Sequence, residues 1–158
     1  MSSDELFLEE LLEALASVRL EALIVGGSAA VLQGAPIMTQ DVDLLLRDTP
    51  RNRQKITLLC ERLGGVRPVS VSALSDVISL VGARVPVDLL FDRLPGRLSF
   101  EHLRSRCDHV RVGSRKALTA TLADIIRSKE AANRPKDRAQ LPILRQTLLA
   151  KEALKRRK

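Results

Sequence analysis

Ala22-Leu-Ile-Val-Gly-Gly-Ser-Ala-Ala30, followed by Thr39-Gln-Asp41-Val-Asp43-Leu-Leu-Leu46, is the stretch that decides the fold. Ala22 to Val25 is a short apolar run and predicts a buried strand. Gly26-Gly27 breaks it, and Ser28 to Gln33 suits a short helix ended by Gly34. Val42 to Leu46 predicts a second strand. Side chains alternate faces along a strand, so Asp41 and Asp43 point the same way. Two close carboxylates repel unless a cation or a donor sits between them. Magnesium suits such a pair, because it takes a few carboxylates and fills its shell with water and phosphate oxygens. Glycine lets a backbone approach a ligand closely, and a helix N-terminus favours phosphate. The Ser28 hydroxyl adds a donor for a phosphate oxygen. Taken singly, Asp-x-Asp also suits a solvated strand end, and Gly-Gly-Ser a plain tight turn.

Asp88 adds a third carboxylate. It lies in Val85-Pro-Val-Asp-Leu-Leu-Phe91, an otherwise apolar strand-like run. Burying a carboxylate there is costly without a partner. A metal ligand or a base for an attacking hydroxyl explains it, and a strand end facing water is the alternative. Asp92 is the more solvated of the neighbouring pair. Val77 to Val81 and Val85 to Phe91, joined by Gly82-Ala-Arg84, predict a hairpin or neighbouring strands.

Further out, Ser2 and Glu5 have the spacing of a capping box. Leu8, Leu11, Leu12, Leu15 and Val18 then follow at helical spacing. Thr49-Pro50 opens a helix that runs toward Arg62 and stops at Gly64-Gly65. Ser99 caps a helix through Arg106, and His109 to Val112 suits a short strand. From Thr119 onward the pattern is helical, with Leu122, Ile125, Ile126 and Lys129 on one face up to Asn133. Arg134-Pro135 starts a last helix, in which Pro142 predicts a local kink. The chain therefore reads as one α/β domain, 1–158. Its core spans 1–112, and a helical C-terminal layer spans 113–158.

The 158 residues carry a net charge of +7. That excess suits a polyanionic partner such as RNA, DNA or nucleotides, and equally a solvated surface. Part of it sits in the tail, Lys155-Arg-Arg-Lys158. Arg104, Arg106, Arg111, Arg115 and Lys116 cluster in sequence as a candidate RNA strip. With three Phe and no Tyr or Trp, the core is aliphatic and aromatic base-stacking platforms are not expected. Cys60 and Cys107 lack metal spacing and read as reduced thiols of a cytoplasmic protein. His102 and His109 lack partners at ligand spacing. No apolar run approaches the ~20 residues that span a bilayer, and neither a P-loop nor a Gly-x-Ser-x-Gly elbow is present.

Gly27-Ser28, twelve intervening residues, Asp41-x-Asp43 and a later strand aspartate, Asp88, together resemble the nucleotidyltransferase superfamily of the DNA polymerase beta type. The resemblance implies a mixed sheet flanked by helices. It assigns Asp41, Asp43 and Asp88 to metal binding and catalysis with Mg²⁺ (or Mn²⁺), and Gly26, Gly27 and Ser28 to the triphosphate of an NTP. A narrower resemblance, to small bacterial nucleotidyltransferases related to type IV toxin–antitoxin toxins, rests on several segments. These are Gly26-Gly-Ser-Ala-Ala30, Thr39 before Asp41, Ala123-Asp-Ile-Ile-Arg-Ser-Lys129-Glu, and Asn133-Arg134-Pro-Lys136-Asp137. It implies that Lys129, and then Arg134, Lys136 and Asp137, reach the nucleotide cleft. It also implies an RNA acceptor such as a tRNA end, and an antitoxin partner. One position departs. Many relatives carry an arginine two positions before the threonine, where this chain has Ile37. That departure leaves open a non-catalytic module of the same fold that binds a protein or RNA.

Overall fold

The computed structural model describes residues 2–157, so Lys158 of the basic tail lies outside the described residues. The first helix, α1 (Ser3–Ser17), has the capping box expected of Ser2 and Glu5. Ser2 Oγ accepts from the Glu5 N–H at 3.2 Å, and Glu5 accepts from the Ser2 N–H at 2.8 Å. Its buried face is Phe7, Leu8, Leu11, Ala14 and Leu15. The chain then forms β1 (Leu23–Val25), α2 (Gly26–Leu32), β2 (Val42–Leu46) and α3 (Pro50–Leu63). Thr49 caps α3 by accepting from the Asn52 N–H, with Pro50 in the first helical position.

Next come β3 (Arg67–Ser72), β4 (Ser75–Val81), β5 (Val87–Phe91), β6 (Arg93–Leu94), β7 (Leu98–Ser99) and α4 (Phe100–Arg106). The chain ends with β8 (Asp108–Val112), β9 (Arg115–Thr119), α5 (Leu122–Ala132) and α6 (Pro135–Arg156). Seven strands form one sheet in the order β3-β4-β5-β2-β1-β9-β8, and β6 and β7 pair separately. The β2–β5 and β1–β9 pairs are parallel and the other pairs antiparallel, so the sheet is mixed. The core is aliphatic, as composition requires, with Leu11, Leu23, Leu44, Leu45, Leu46, Leu89, Leu103 and Leu144 fully buried.

Local structure differs from the expectations drawn from sequence, or adds to them, in several places. The helical layer begins at Leu122, not at 113, because Arg115 to Thr119 is a strand of the central sheet. Arg115 and Lys116 stand exposed at its start and hide the pattern, while Ala117 and Thr119 are fully buried. The edge strand β3 is almost entirely exposed, so its sequence carries no apolar run. Helix α2 starts at Gly26 itself rather than at Ser28. The last helix continues through Pro142 to Arg156. Pro142 and Arg138 are both exposed, so water can reach the Arg138 carbonyl that proline leaves without its helical donor.

Candidate active site

The sheet register builds the site. Val25 on β1 lies opposite Asp43 on β2, Asp43 lies beside Asp88 on β5, and Asp88 lies opposite Ser79 on β4. Cross-strand partners project from the same face, so this row presents Asp43, Asp88 and Ser79 together. Asp41 is two residues before Asp43 and joins them. One carboxylate oxygen from each of Asp41, Asp43 and Asp88 lies within 4.8 Å of the others. This is the one such group of three among the described residues.

Gly26 sits at the end of β1 with φ +64°, and a Cβ there would stand 2.5 Å from Asp43 Oδ2. Glycine at this place lets the turn lie flat against a carboxylate. A Cβ on Gly27 would come within 3.1 Å of Thr39 Oγ1. Thr39 Oγ1 in turn donates to the Asp41 carbonyl at 3.2 Å and reaches Asp41 Oδ1 at 3.5 Å. Ser28 is buried. Its hydroxyl donates to the Val25 carbonyl at 3.0 Å and accepts the Asp43 N–H at 3.3 Å. The hydroxyl expected to face phosphate is thus occupied in joining the end of β1 to the start of β2.

A cleft of about 380 Å³ opens over the carboxylates. Gly26, Asp41, Asp43 and Asp88 line one side, and Lys129, Arg134 and Lys136 line the other. Leu94, Pro95 and Ile125 add apolar wall. Gly27, Ser28 and Asp137 stand behind these surfaces rather than in them. Asp137 is fully buried. It accepts from Lys129 Nζ at 3.3 Å, from Arg134 Nε at 2.7 Å and from the Arg134 N–H at 3.1 Å. The turn that allows this runs through Asn133, held in the left-handed region at φ 51°. Burial alone would raise the Asp137 pKa, but its bonds to Arg134 and Lys129 outweigh that and hold the carboxyl below its ordinary value. Asp137→Asn leaves the buried Lys129 ammonium without its counter-charge. The expected cost is about 3 kcal/mol, measured by urea unfolding.

Asp43 is pushed up to about 6, first by burial and then by repulsion from Asp41 and Asp88. Lys136 and Lys129 act in the opposite direction. Burial and neighbouring carboxylates both disfavour the charge on Asp43 when no cation is bound, and the donors are hard oxygens. That donor set fits a divalent cation of the Mg²⁺ or Mn²⁺ kind.

The remaining candidates fall elsewhere. Arg104 pairs with Glu21 and Arg106 with Asp124. Arg111, Arg115 and Lys116 sit toward the β8–β9 turn, away from the Thr119 end that adjoins β1. The five cations thus do not form a strip leading to the cleft. His102 and His109 are exposed, Cys60 is buried in the core, and both cysteines are free. Ile37 is half-buried against the core and is not part of the cleft lining. Two features escaped the sequence reading: Ser79, whose hydroxyl donates to Asp88 Oδ1 at 2.5 Å, and the Leu94-Pro95 wall. A serine two residues after Val77 on one strand is an ordinary pattern, so nothing in the sequence singles it out. Among the described residues, no helix is long and apolar enough to cross a membrane.

No family model and no curated protein matches the sequence. Solved structures do match the fold. ANT(2'')-Ia, crystallised with adenylyl-2''-tobramycin, is 15% identical with a TM-score of 0.69, over 96% of this chain and 92% of that one. A candidate nucleotidyltransferase from Thermotoga maritima is 18% identical with a TM-score of 0.59, over 95% and 96%. An antigenic nucleotidyltransferase-like protein from Paracoccidioides brasiliensis is 20% identical with a TM-score of 0.54, over 91% and 77%. At these identities the likeness establishes architecture, and the chain has the nucleotidyltransferase fold.

Proposed function

We propose that this chain transfers a nucleoside monophosphate from an NTP to a hydroxyl acceptor with release of pyrophosphate. The observation that carries the reading is the row of Asp41, Asp43 and Asp88 in one cleft, facing Lys129, Arg134 and Lys136. The three carboxylates would hold Mg²⁺ or Mn²⁺. When bound, such ions stabilise charge on the attacking and leaving oxygens. Lys136 and Arg134 are exposed at the cleft and neutralise the triphosphate. Lys129 is held by Asp137 and supplies a fixed positive charge behind them. Gly26 keeps the β1 turn low enough for phosphate to approach Asp43. Asp88 binds metal or takes the proton of the attacking hydroxyl. A new bond joins the acceptor oxygen to the α-phosphorus, and the bond from that phosphorus to the pyrophosphate oxygen breaks.

The acceptor we favour is RNA, for instance a tRNA end, on the strength of the net charge and of the resemblance to toxin-like enzymes. An antitoxin partner and a cytoplasmic setting go with that resemblance. A small-molecule acceptor is the second reading, favoured by the adenylyl-tobramycin in the ANT(2'')-Ia structure.

Incubation with each α-labelled NTP, Mg²⁺, and RNA, protein or tobramycin tests the proposal. Label should move to one acceptor class, and Asp41→Ala with Asp43→Ala should cut transfer by about 1,000-fold or more. Transfer that survives the double variant removes the carboxylate site. No transfer and no metal-dependent nucleotide binding favours a non-catalytic module.

A further inference from the structure

We infer that Ser79 is a positioning residue of the carboxylate site, acting through Asp88. The inference rests on the metal-dependent reading above and goes beyond it to a residue on a fourth strand. Ser79 and Asp88 are register partners across the antiparallel β4–β5 pair, so their side chains share the face that carries Asp43. The Ser79 hydroxyl donates to Asp88 Oδ1 at 2.5 Å. Both residues are half-buried.

The need for a tether follows from the charges. Asp88 has Asp43 as its lateral neighbour on β2, and like charges push each other apart. Among the described residues, Ser79 is the one side chain that donates a hydrogen bond to Asp88. Asp41 Oδ1 lies 3.5 Å from the Thr39 hydroxyl, whose nearer acceptor is the Asp41 carbonyl, and among the described residues no group donates a hydrogen bond to the Asp43 side chain. With Oδ1 tethered toward β4, rotation about the Cβ–Cγ bond is stopped, and the second oxygen keeps one direction. The site then meets a cation already assembled, instead of assembling around it. Partners of this kind are worth about 10- to 100-fold in metal affinity.

Mn²⁺ titration followed by electron paramagnetic resonance, without nucleotide, tests this on the full chain. The variants are Ser79→Ala, Ser79→Thr and Ser79→Val. Threonine and valine share a shape, suit a strand, and differ by the hydroxyl, so their comparison stands if the alanine variant folds poorly. Ser79→Ala and Ser79→Val should bind Mn²⁺ about 10- to 100-fold more weakly than wild type, and Ser79→Thr within about threefold. A valine variant that binds Mn²⁺ as tightly as the threonine variant overturns the inference and leaves the proposed function standing. A wild-type protein that binds no Mn²⁺ removes the carboxylate site itself, and the inference with it.

Discussion

Asp43→Asn is expected to abolish nucleotidyl transfer while making the metal-free protein more stable at pH 7 to 8. The two effects share one cause. Burial and the charges of Asp41 and Asp88 raise the Asp43 pKa from 3.8 to about 6 in the fold. Below about pH 4 the carboxyl is protonated both folded and unfolded, and contributes nothing. Between about 4 and 6 the folded state holds the proton that the unfolded state has lost, so stability falls as pH rises. Above about 6 the penalty is complete, and a shift of this size corresponds to about 3 kcal/mol. Asparagine removes the charge, and among the described residues the Asp43 side chain makes no hydrogen bond that the change would break. Thermal unfolding in chelator at pH 7.5 should show the variant melting roughly 6 to 12 °C above wild type. Added Mg²⁺ should raise the melting temperature of wild type and leave the variant unmoved. A variant that melts lower in chelator, or still transfers label, contradicts this reading of the cluster.

Gly26→Ala is expected to cost activity more than stability. The residue adopts φ +64°, where a Cβ costs roughly 1 to 2 kcal/mol. That Cβ would also stand 2.5 Å from Asp43 Oδ2, so the carboxylate must move. A displacement near 1 Å at a reacting centre lowers rate by about 100-fold. The decisive comparison is the double variant. Asp43→Ala removes the obstructing oxygen and leaves Asp43 Cβ at 3.6 Å, an ordinary contact. The stability cost of Gly26→Ala should therefore shrink by about 1 kcal/mol in the Asp43→Ala background, measured by urea unfolding. An unchanged cost in both backgrounds would show that the turn and the carboxylate are not in contact.

These two residues also show how much of the site was legible. Gly26, Asp41 and Asp43 lie within 18 positions on consecutive elements, so strand alternation and turn chemistry suffice to bring them together. Asp88 stood out because a carboxylate is costly in an apolar run. That Asp43 and Asp88 are lateral neighbours depends on β5 pairing with β2, and pairing order is set by the assembly of the whole sheet. Ser79 depends on the same order, one strand further out, and a serine gives no cost signal. Ser28 and Asp137 illustrate another limit. Sequence reveals that a donor or a carboxylate is present, but not which neighbour takes it. The Ser28 proton goes to the Val25 carbonyl, and Asp137 closes on Arg134 and Lys129. Strand β9 was hidden because its exposed Arg115 and Lys116 offset the two buried residues, Ala117 and Thr119, in any count of apolar character.

The most direct measurement is anomalous diffraction from crystals grown with Mn²⁺ and a non-hydrolysable NTP analogue. Mn²⁺ should lie among the carboxylates of Asp41, Asp43 and Asp88, with the triphosphate extending toward Arg134 and Lys136. Anomalous density absent from these carboxylates, or a nucleotide bound outside this cleft, would contradict the assignment.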